Sequence, residues 1–218
     1  MKKKSILIVV IVICIIAGLG YYSYYTNKMK EILVYKDVLD ETAVTVDSKV
    51  LLVRDMAFYV AYEERTVEDQ AEIYDDEDTN AYWNLHINGE FMKVTARKAA
   101  MNMAVHDEIF YEMAQAEGIS LSEEETATLE QKQSDFWMDL SDEAKERLTV
   151  SQDEINEVMG RMALAQKYQN IYAGMQGAGY EDYDFEGDAY LKLKEQHQVV
   201  INEKVWDRLD FGNITLNH

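Results

Sequence analysis

The chain has 218 residues, with 21 Lys and Arg against 41 Asp and Glu, a single Cys and no Pro. That length suits one domain, alone or with an appendage, and the lack of Pro favours a mainly helical fold over a loop-rich β-sandwich. The first 30 residues hold five Lys and no acid, so residues 31–218 carry 16 basic against 41 acidic side chains, a net charge of −25. A body this acidic repels phosphate backbones, which excludes nucleic acid as a partner.

The amino-terminal end has the pattern of a membrane-targeting segment. Three Lys precede residues 5–27, which contain no charge and end in a cluster of Tyr. About 20 apolar residues cross a bilayer, and Tyr favours the bilayer interface. Gly18-Leu19-Gly20 is a poor cleavage site, which favours an uncleaved signal anchor over a cleaved signal peptide. We therefore predict a cytoplasmic Lys cluster and a transmembrane helix in residues 1–30, with residues 31–218 on the extracytoplasmic side of the cell membrane.

The body begins with a predicted hairpin and a first helix. Two aliphatic and β-branched runs in residues 43–53 flank a short polar turn, which is typical of a β-hairpin. Asp55 is the predicted N-cap of the helix that follows. Apolar side chains recur at helical spacing over residues 94–117, and Gly118 is the predicted stop of that long helix.

Two capping boxes predict the starts of further helices. Ser122 with Glu125 begins one helix, and Ser151 with Glu154 begins the next. The second of these helices ends in the Gly-rich residues 174–179.

The carboxy-terminal part predicts a last helix and a closing strand. The helix covers residues 187–196, and the β-branched residues 199–201 follow it. Pairing of this run with residues 44–46 brings the two ends of the body together. The predicted fold class is mainly α, with an amino-terminal transmembrane helix, a multi-helix domain and a small β element that joins the ends of the body.

The chain shows no motif of a nucleotide-binding loop, an esterase or a zinc protease. The four His are far apart in sequence, and His106 lies within a helix, which indicates a packed or surface His rather than a ligand. Residues 182–188 begin like an EF-hand loop, but Leu193 stands where calcium requires a bidentate Glu. The sequence therefore predicts no catalytic, cofactor-binding or metal-binding residues.

Met and aromatic side chains are unusually frequent on the predicted helices. The chain holds eleven Met, whose flexible thioethers suit surfaces that bind varied apolar segments. A single residue of this kind is more often part of the core than part of a contact surface. The candidate contact residues are Phe58, Tyr62, Met101, Met103 and Trp137.

The order of these elements resembles the chaperone part of the SurA/PrsA-type extracytoplasmic foldases. The hairpin of that family is similar to Val44-Thr45-Val46-Asp47-Ser48, with Asp-Ser in place of the usual Asn-Gly. Its break between helices is similar to Gly118-Ile119-Ser120-Leu121-Ser122-Glu123-Glu124-Glu125, and its closing segment to Val199-Val200-Ile201-Asn202-Glu203. Residues 174–188 are too few for the parvulin isomerase domain that stands there in the family.

The resemblance implies a membrane-anchored chaperone-like protein that binds apolar segments of unfolded or newly exported proteins without catalysis. Two alternatives stay open, an anchored docking or assembly factor for one envelope partner and a degenerate peptidyl-prolyl isomerase. The number of different clients separates the chaperone from the docking factor, and an isomerisation assay tests the third hypothesis.

Overall fold

The computed structural model describes residues 31–217. The predicted signal anchor falls on residues 1–30 and lies outside the described residues. Within residues 31–217, no helix is both long and apolar enough to cross a membrane, because charged side chains interrupt every long helix. The predicted fold class, which joined a transmembrane helix to a helical domain, is wrong for the residues that the structure describes. It is corrected to a mainly helical body with a small sheet.

After a 3₁₀ turn at Tyr35–Asp37, the body forms a hairpin and continues through a series of long and short helices. The hairpin consists of β1 (Thr42–Val46) and β2 (Lys49–Leu52), and a 3₁₀ turn leads from it into α1 (Ala57–Tyr74). The next elements in chain order are α2 (Thr79–Trp83), β3 (His86–Ile87), β4 (Glu90–Phe91), α3 (Met92–Ala116), α4 (Glu123–Asp139), α5 (Asp142–Leu148) and α6 (Gln152–Met175). A 3₁₀ turn at Tyr180–Tyr183, α7 (Asp188–Lys194), β5 (Val199–Ile201) and α8 (Glu203–Trp206) complete the order.

The predicted closure of the body by a carboxy-terminal strand is confirmed. Strand β1 is central and pairs antiparallel with both β2 and β5, with Val44 opposite Ile201. Asp47 adopts a positive φ of 52° in the hairpin turn, and its carboxylate accepts the backbone N–H of Gln198 at 2.8 Å. The Asp in this turn therefore fastens the hairpin to the segment that enters β5.

Local sequence signals place several helix ends correctly. Both capping boxes form, since Ser122 accepts the N–H of Glu125 at 3.2 Å and Ser151 accepts that of Glu154 at 3.3 Å. Helix α3 ends at Ala116, and Gly118 adopts a φ of 69°, which only Gly adopts without strain.

One prediction near a helix end is wrong, and one helix was not predicted. Asp55 does not cap α1, which begins after a 3₁₀ turn; its carboxylate accepts the N–H of Leu52 at 2.7 Å and stabilises the end of the hairpin instead. Helix α5 has no counterpart among the predicted elements; Ser141 accepts the N–H of Ala144 at 3.0 Å and caps its start.

Helix α3 lies at the centre of the core. It packs against α6 and α1, and its buried Ala side chains at positions 96, 100, 104 and 114 allow close approach of these neighbours. Helix α4 also packs against α6, but none of its side chains is fully buried. It is therefore an outer layer, and its edges border open grooves.

The segment after α8 returns to α1 and is held by a buried carboxylate. Glu64 is fully buried, and its Oε1 accepts the backbone N–H of Gly212 at 2.6 Å and of Ile214 at 3.1 Å. Its Oε2 accepts both the backbone N–H and the hydroxyl of Thr215. Burial raises the pKa of Glu64, and these hydrogen bonds oppose that effect. The carboxylate thus ties the chain terminus to the first long helix.

Candidate functional site

A groove of about 680 Å³ opens between α1, α3, α6 and the segment of residues 179–187. We call it the main groove and residues 179–187 the rim segment. Its apolar lining includes Phe58, Tyr62, Met103, Met162, Tyr180 and Phe185. Tyr62 is 46% exposed and Tyr180 is 38% exposed, so large rings on both sides of the groove meet solvent. A concave site of this size with aromatic and Met lining is typical of sites that bind apolar ligands.

A second groove of about 650 Å³ follows α6 along its contact with α4. We call it the side groove, and it adds Leu121, Leu129 and Ile171 to the apolar lining. The two grooves adjoin each other, because both are lined by Lys132, Met162, Gln166 and Tyr180. We call the two adjoining grooves together the cleft along α6.

Contacts at its surface hold α4 beside this cleft. The ring of Phe136 lies 4.9 Å from the ring of Phe58 on α1. Near the start of α4, the ammonium of Lys167 donates to the carboxylate of Glu125 at 2.6 Å. This hydrogen bond, together with the one from the backbone of Ser122, lowers the pKa of Glu125 to about 2. The wall that α4 provides is therefore fixed by an aromatic contact at one end and an ion pair at the other.

Three polar side chains form a buried cluster at the base of the main groove. The hydroxyl of Tyr59 donates to Asp107 at 3.0 Å, and burial, followed by the charge of Asp107, raises the pKa of Tyr59 well above its usual value. His106 contacts the other oxygen of Asp107 through Nδ1 at 2.9 Å. Its Nε2 lies 2.9 Å from the carbonyl oxygen of Tyr183 and must donate, because a carbonyl only accepts.

The same cluster engages both ring nitrogens of His106. Nε2 donates to the Tyr183 carbonyl, and Nδ1 lies within hydrogen-bond distance of the Asp107 carboxyl. Both ring nitrogens are therefore engaged. The pair resembles part of a catalytic triad in composition, but it offers no free nitrogen to act as a base on a ligand.

Buried groups also fasten the rim segment from below. The amide nitrogen of Gln169, a fully buried residue, donates to the carbonyl of Tyr180 at 3.2 Å and to Asp184 at 2.9 Å. Its Oε1 has no hydrogen-bond partner among residues 31–217. With the bond from His106 to Tyr183, the segment is held at three points. The groove wall that it forms is therefore built into the fold.

The rim segment and its continuation into α7 are acidic. Residues 180–188 include five Asp or Glu and no Lys or Arg. Glu181, Asp184 and Glu186 line the main groove, and Lys132 of α4 is the basic residue that faces them across it. Within residues 31–217, no three His, Cys, Asp or Glu side chains are arranged to hold a metal ion.

The structure brings together three of the five predicted contact residues. Phe58, Tyr62 and Met103 line the main groove, and the Phe58 and Tyr62 rings are stacked with centroids 5.9 Å apart. Met101 is only 2% exposed and lies in the core. Trp137 is half-buried on α4, outside both grooves, with the ammonium of Lys145 5.3 Å from its ring.

Other lining residues have a weaker signal in the sequence. Met162 belongs to an apolar stripe of α6 whose other members are mostly core residues, so helical spacing does not separate it from them. Tyr180 and Phe185 alternate with acids in a segment without regular periodicity. Gln169 is a polar residue at a buried helical position, and such an exception to the apolar pattern is the available clue to a polar role.

Comparison of the chain with known protein families, with curated proteins and with solved structures found no match. The likeness to SurA/PrsA-type foldases therefore rests on the motifs quoted above.

Proposed function

We propose that this protein is a chaperone-like factor that holds apolar segments of unfolded or newly exported polypeptides without catalysing a reaction on them. The observation that supports it is the cleft along α6, where the rings of Tyr62 and Tyr180 are exposed beside partly buried Met side chains. That the clients are exported proteins rests on the export-type pattern of residues 1–30, which lie outside the described residues.

The lining favours apolar ligands of varied shape. Met162 and Met103 have flexible side chains that fill irregular gaps, and the Tyr62 ring offers a broad apolar face. Burial of one Leu or Phe side chain contributes about 1.5–3 kcal/mol, so three of them contribute roughly 5–9 kcal/mol. Association and ordering of a flexible segment cost several kcal/mol. We therefore expect dissociation constants of about 0.2 mM or weaker, which suits transient holding.

The polar groups of the groove support binding rather than chemistry. His106 and Asp107 are saturated by each other, by Tyr59 and by the Tyr183 carbonyl, so they position the rim segment. The expected driving force for client binding is the burial of apolar surface, which does not require recognition of a prolyl bond. Clients without Pro should therefore be protected as well as clients with Pro.

An aggregation assay tests the proposal. The full chain should suppress aggregation of a chemically unfolded client at several-fold molar excess, and it should leave the rate of prolyl isomerisation in a test peptide unchanged. Tyr62→Glu places a charge in the main groove and should weaken suppression several-fold. Ile73→Glu is the matched control, because Ile73 lies on the same helix, is 88% exposed and does not line the groove.

Two results would contradict the proposal. If the unaltered chain leaves client aggregation unchanged and binds one folded protein, it is a docking factor for that partner. If Tyr62→Glu and Ile73→Glu suppress aggregation equally well, the main groove is not where clients bind.

A further inference from the structure

We propose that the cleft selects apolar segments that are flanked by Lys or Arg. This inference rests on the proposed function and adds to it the class of client. It follows from three properties of the main groove: an acidic rim without paired cations, the rigidity of that rim, and the charge of the surrounding body.

The acids of the rim are available for a ligand. Among residues 31–217, no Lys or Arg forms an ion pair with Glu181, Asp184 or Glu186. Asp184 accepts a hydrogen bond from the amide nitrogen of Gln169, which is a neutral partner and not a cation. Glu181 and Glu186 are exposed at the mouth of the groove. The main groove has an apolar floor beside carboxylates that form no ion pair. It is therefore complementary to a peptide segment in which Lys or Arg side chains flank apolar ones.

The cations that line the cleft do not neutralise this rim. Lys167 in the side groove is bound by Glu125 at 2.6 Å and by the carbonyl of Ser120 at 2.9 Å. Lys132 is exposed on α4 and faces three rim acids alone. The potential in the main groove is therefore negative, and the net charge of −25 on residues 31–218 strengthens it at low ionic strength.

The rim acids are also held in place. His106 and Gln169, both buried, bond the rim segment at the Tyr183 carbonyl, the Tyr180 carbonyl and Asp184. A ligand cation therefore meets carboxylates whose positions are set in advance, which reduces the entropy cost of pairing.

Peptide binding to the full chain tests the selection. Three labelled peptides share one apolar centre and differ only in their flanks, which are Lys, Ser or Glu. Fluorescence anisotropy at low salt should give about tenfold tighter binding for the Lys-flanked peptide than for the Ser-flanked one, because two or three exposed pairs each contribute modestly. The Glu-flanked peptide should bind weakest. At about 0.5 M salt the three affinities should converge, because the Debye length falls to a few ångströms.

Paired substitutions separate the rim from the overall charge. Glu181→Lys with Glu186→Lys should abolish the preference for Lys flanks, so that the Lys-flanked peptide binds no more tightly than the Ser-flanked one. Glu72→Lys with Asp76→Lys changes the net charge equally at exposed positions away from the groove, and it should keep the preference. The neutral pair Glu181→Gln with Glu186→Gln should reduce the preference without reversing charge, and its unfolding midpoint reports whether the fold is intact.

Each other outcome overturns the selection. Equal binding of all three peptides at low salt, together with loss of binding in Tyr62→Glu, leaves the proposed function standing and removes the preference. An equal loss of preference in the rim pair and the control pair assigns it to net charge. If the apparent affinity for peptide falls as the protein concentration rises, and Tyr62→Glu stays monomeric at the same concentrations, a second copy of the chain occupies the main groove. Failure of every peptide to bind contradicts the proposed function itself.

Discussion

Replacing Glu64 should unfasten the carboxy-terminal segment and cost a large part of the stability of the body. Its carboxylate receives four hydrogen bonds from three residues, Gly212, Ile214 and Thr215, at a site fully closed to water. Hydrogen bonds to a charged group each contribute about 1.5–3 kcal/mol, and buried donors without a partner cost about as much. Four independent bonds would then sum to roughly 6–12 kcal/mol.

Two effects reduce that sum. The donors belong to one short segment, which can leave the site as a unit and be solvated, and removal of Glu64 also removes the cost of burying its charge. We therefore expect Glu64→Ala to lower the free energy of unfolding by about 4 kcal/mol. Glu64→Gln should lower it by about 2 kcal/mol, because its amide nitrogen would face donors where an oxygen now accepts.

Urea denaturation with hydrogen exchange measures this loss. Amides of Gly212, Ile214 and Thr215 should lose protection in Glu64→Ala, while those in the centre of α3 keep most of theirs. Glu72→Ala, an exposed change on the same helix, should alter the free energy of unfolding by no more than about 0.5 kcal/mol. A loss below about 1 kcal/mol in Glu64→Ala, or unchanged protection of the three amides, would refute the anchoring role.

Three further predictions concern single carboxylates. Burial raises the pKa of Glu63 to about 7, so ionisation of Glu63 lowers the stability of the protein as the pH rises from about 4.5 through 7. The free energy of unfolding of Glu63→Gln, measured by urea titration, should therefore be about 1 kcal/mol larger than that of the unaltered protein at pH 8 and equal to it near pH 4. Asp47→Ala removes the acceptor of the Gln198 N–H and should cost about 1–2 kcal/mol, with faster exchange of that amide. The Lys167 hydrogen bond holds the pKa of Glu125 near 2, so protection of the first turn of α4 should fall as pH drops from about 4.5 through 2, and Glu125→Gln should remove this dependence.

The sequence predicts local structure well where few residues determine it. A capping box needs a Ser and a Glu three residues apart, so Ser122 and Ser151 mark helix starts without reference to the rest of the chain. Gly118 marks a helix end for an equally local reason. The pairing of β5 with β1 was predictable because the chain has few other β-branched runs.

Which face of a helix lines the cleft depends on tertiary packing. Met101 and Met103 are two residues apart and point in directions about 200° apart on α3, so one enters the core and the other the main groove. The apolar pattern alone gives both the same weight. The same limit applies to polar residues such as Glu64. The sequence does not distinguish an exposed Glu on a helix surface from one that is buried and accepts hydrogen bonds from four donors far away in the chain.

The two walls of the main groove are held by interactions of very different strength. The rim segment is fixed by bonds from buried His106 and Gln169, and breaking these would leave polar groups unpaired away from water. Helix α4 has no buried side chain and is fixed largely by surface contacts such as that of Phe136 and the pair of Glu125 with Lys167. An exposed ion pair contributes only about 0.2–1 kcal/mol. Under the proposed function, we therefore expect α4 rather than the rim segment to shift when apolar segments of different size bind.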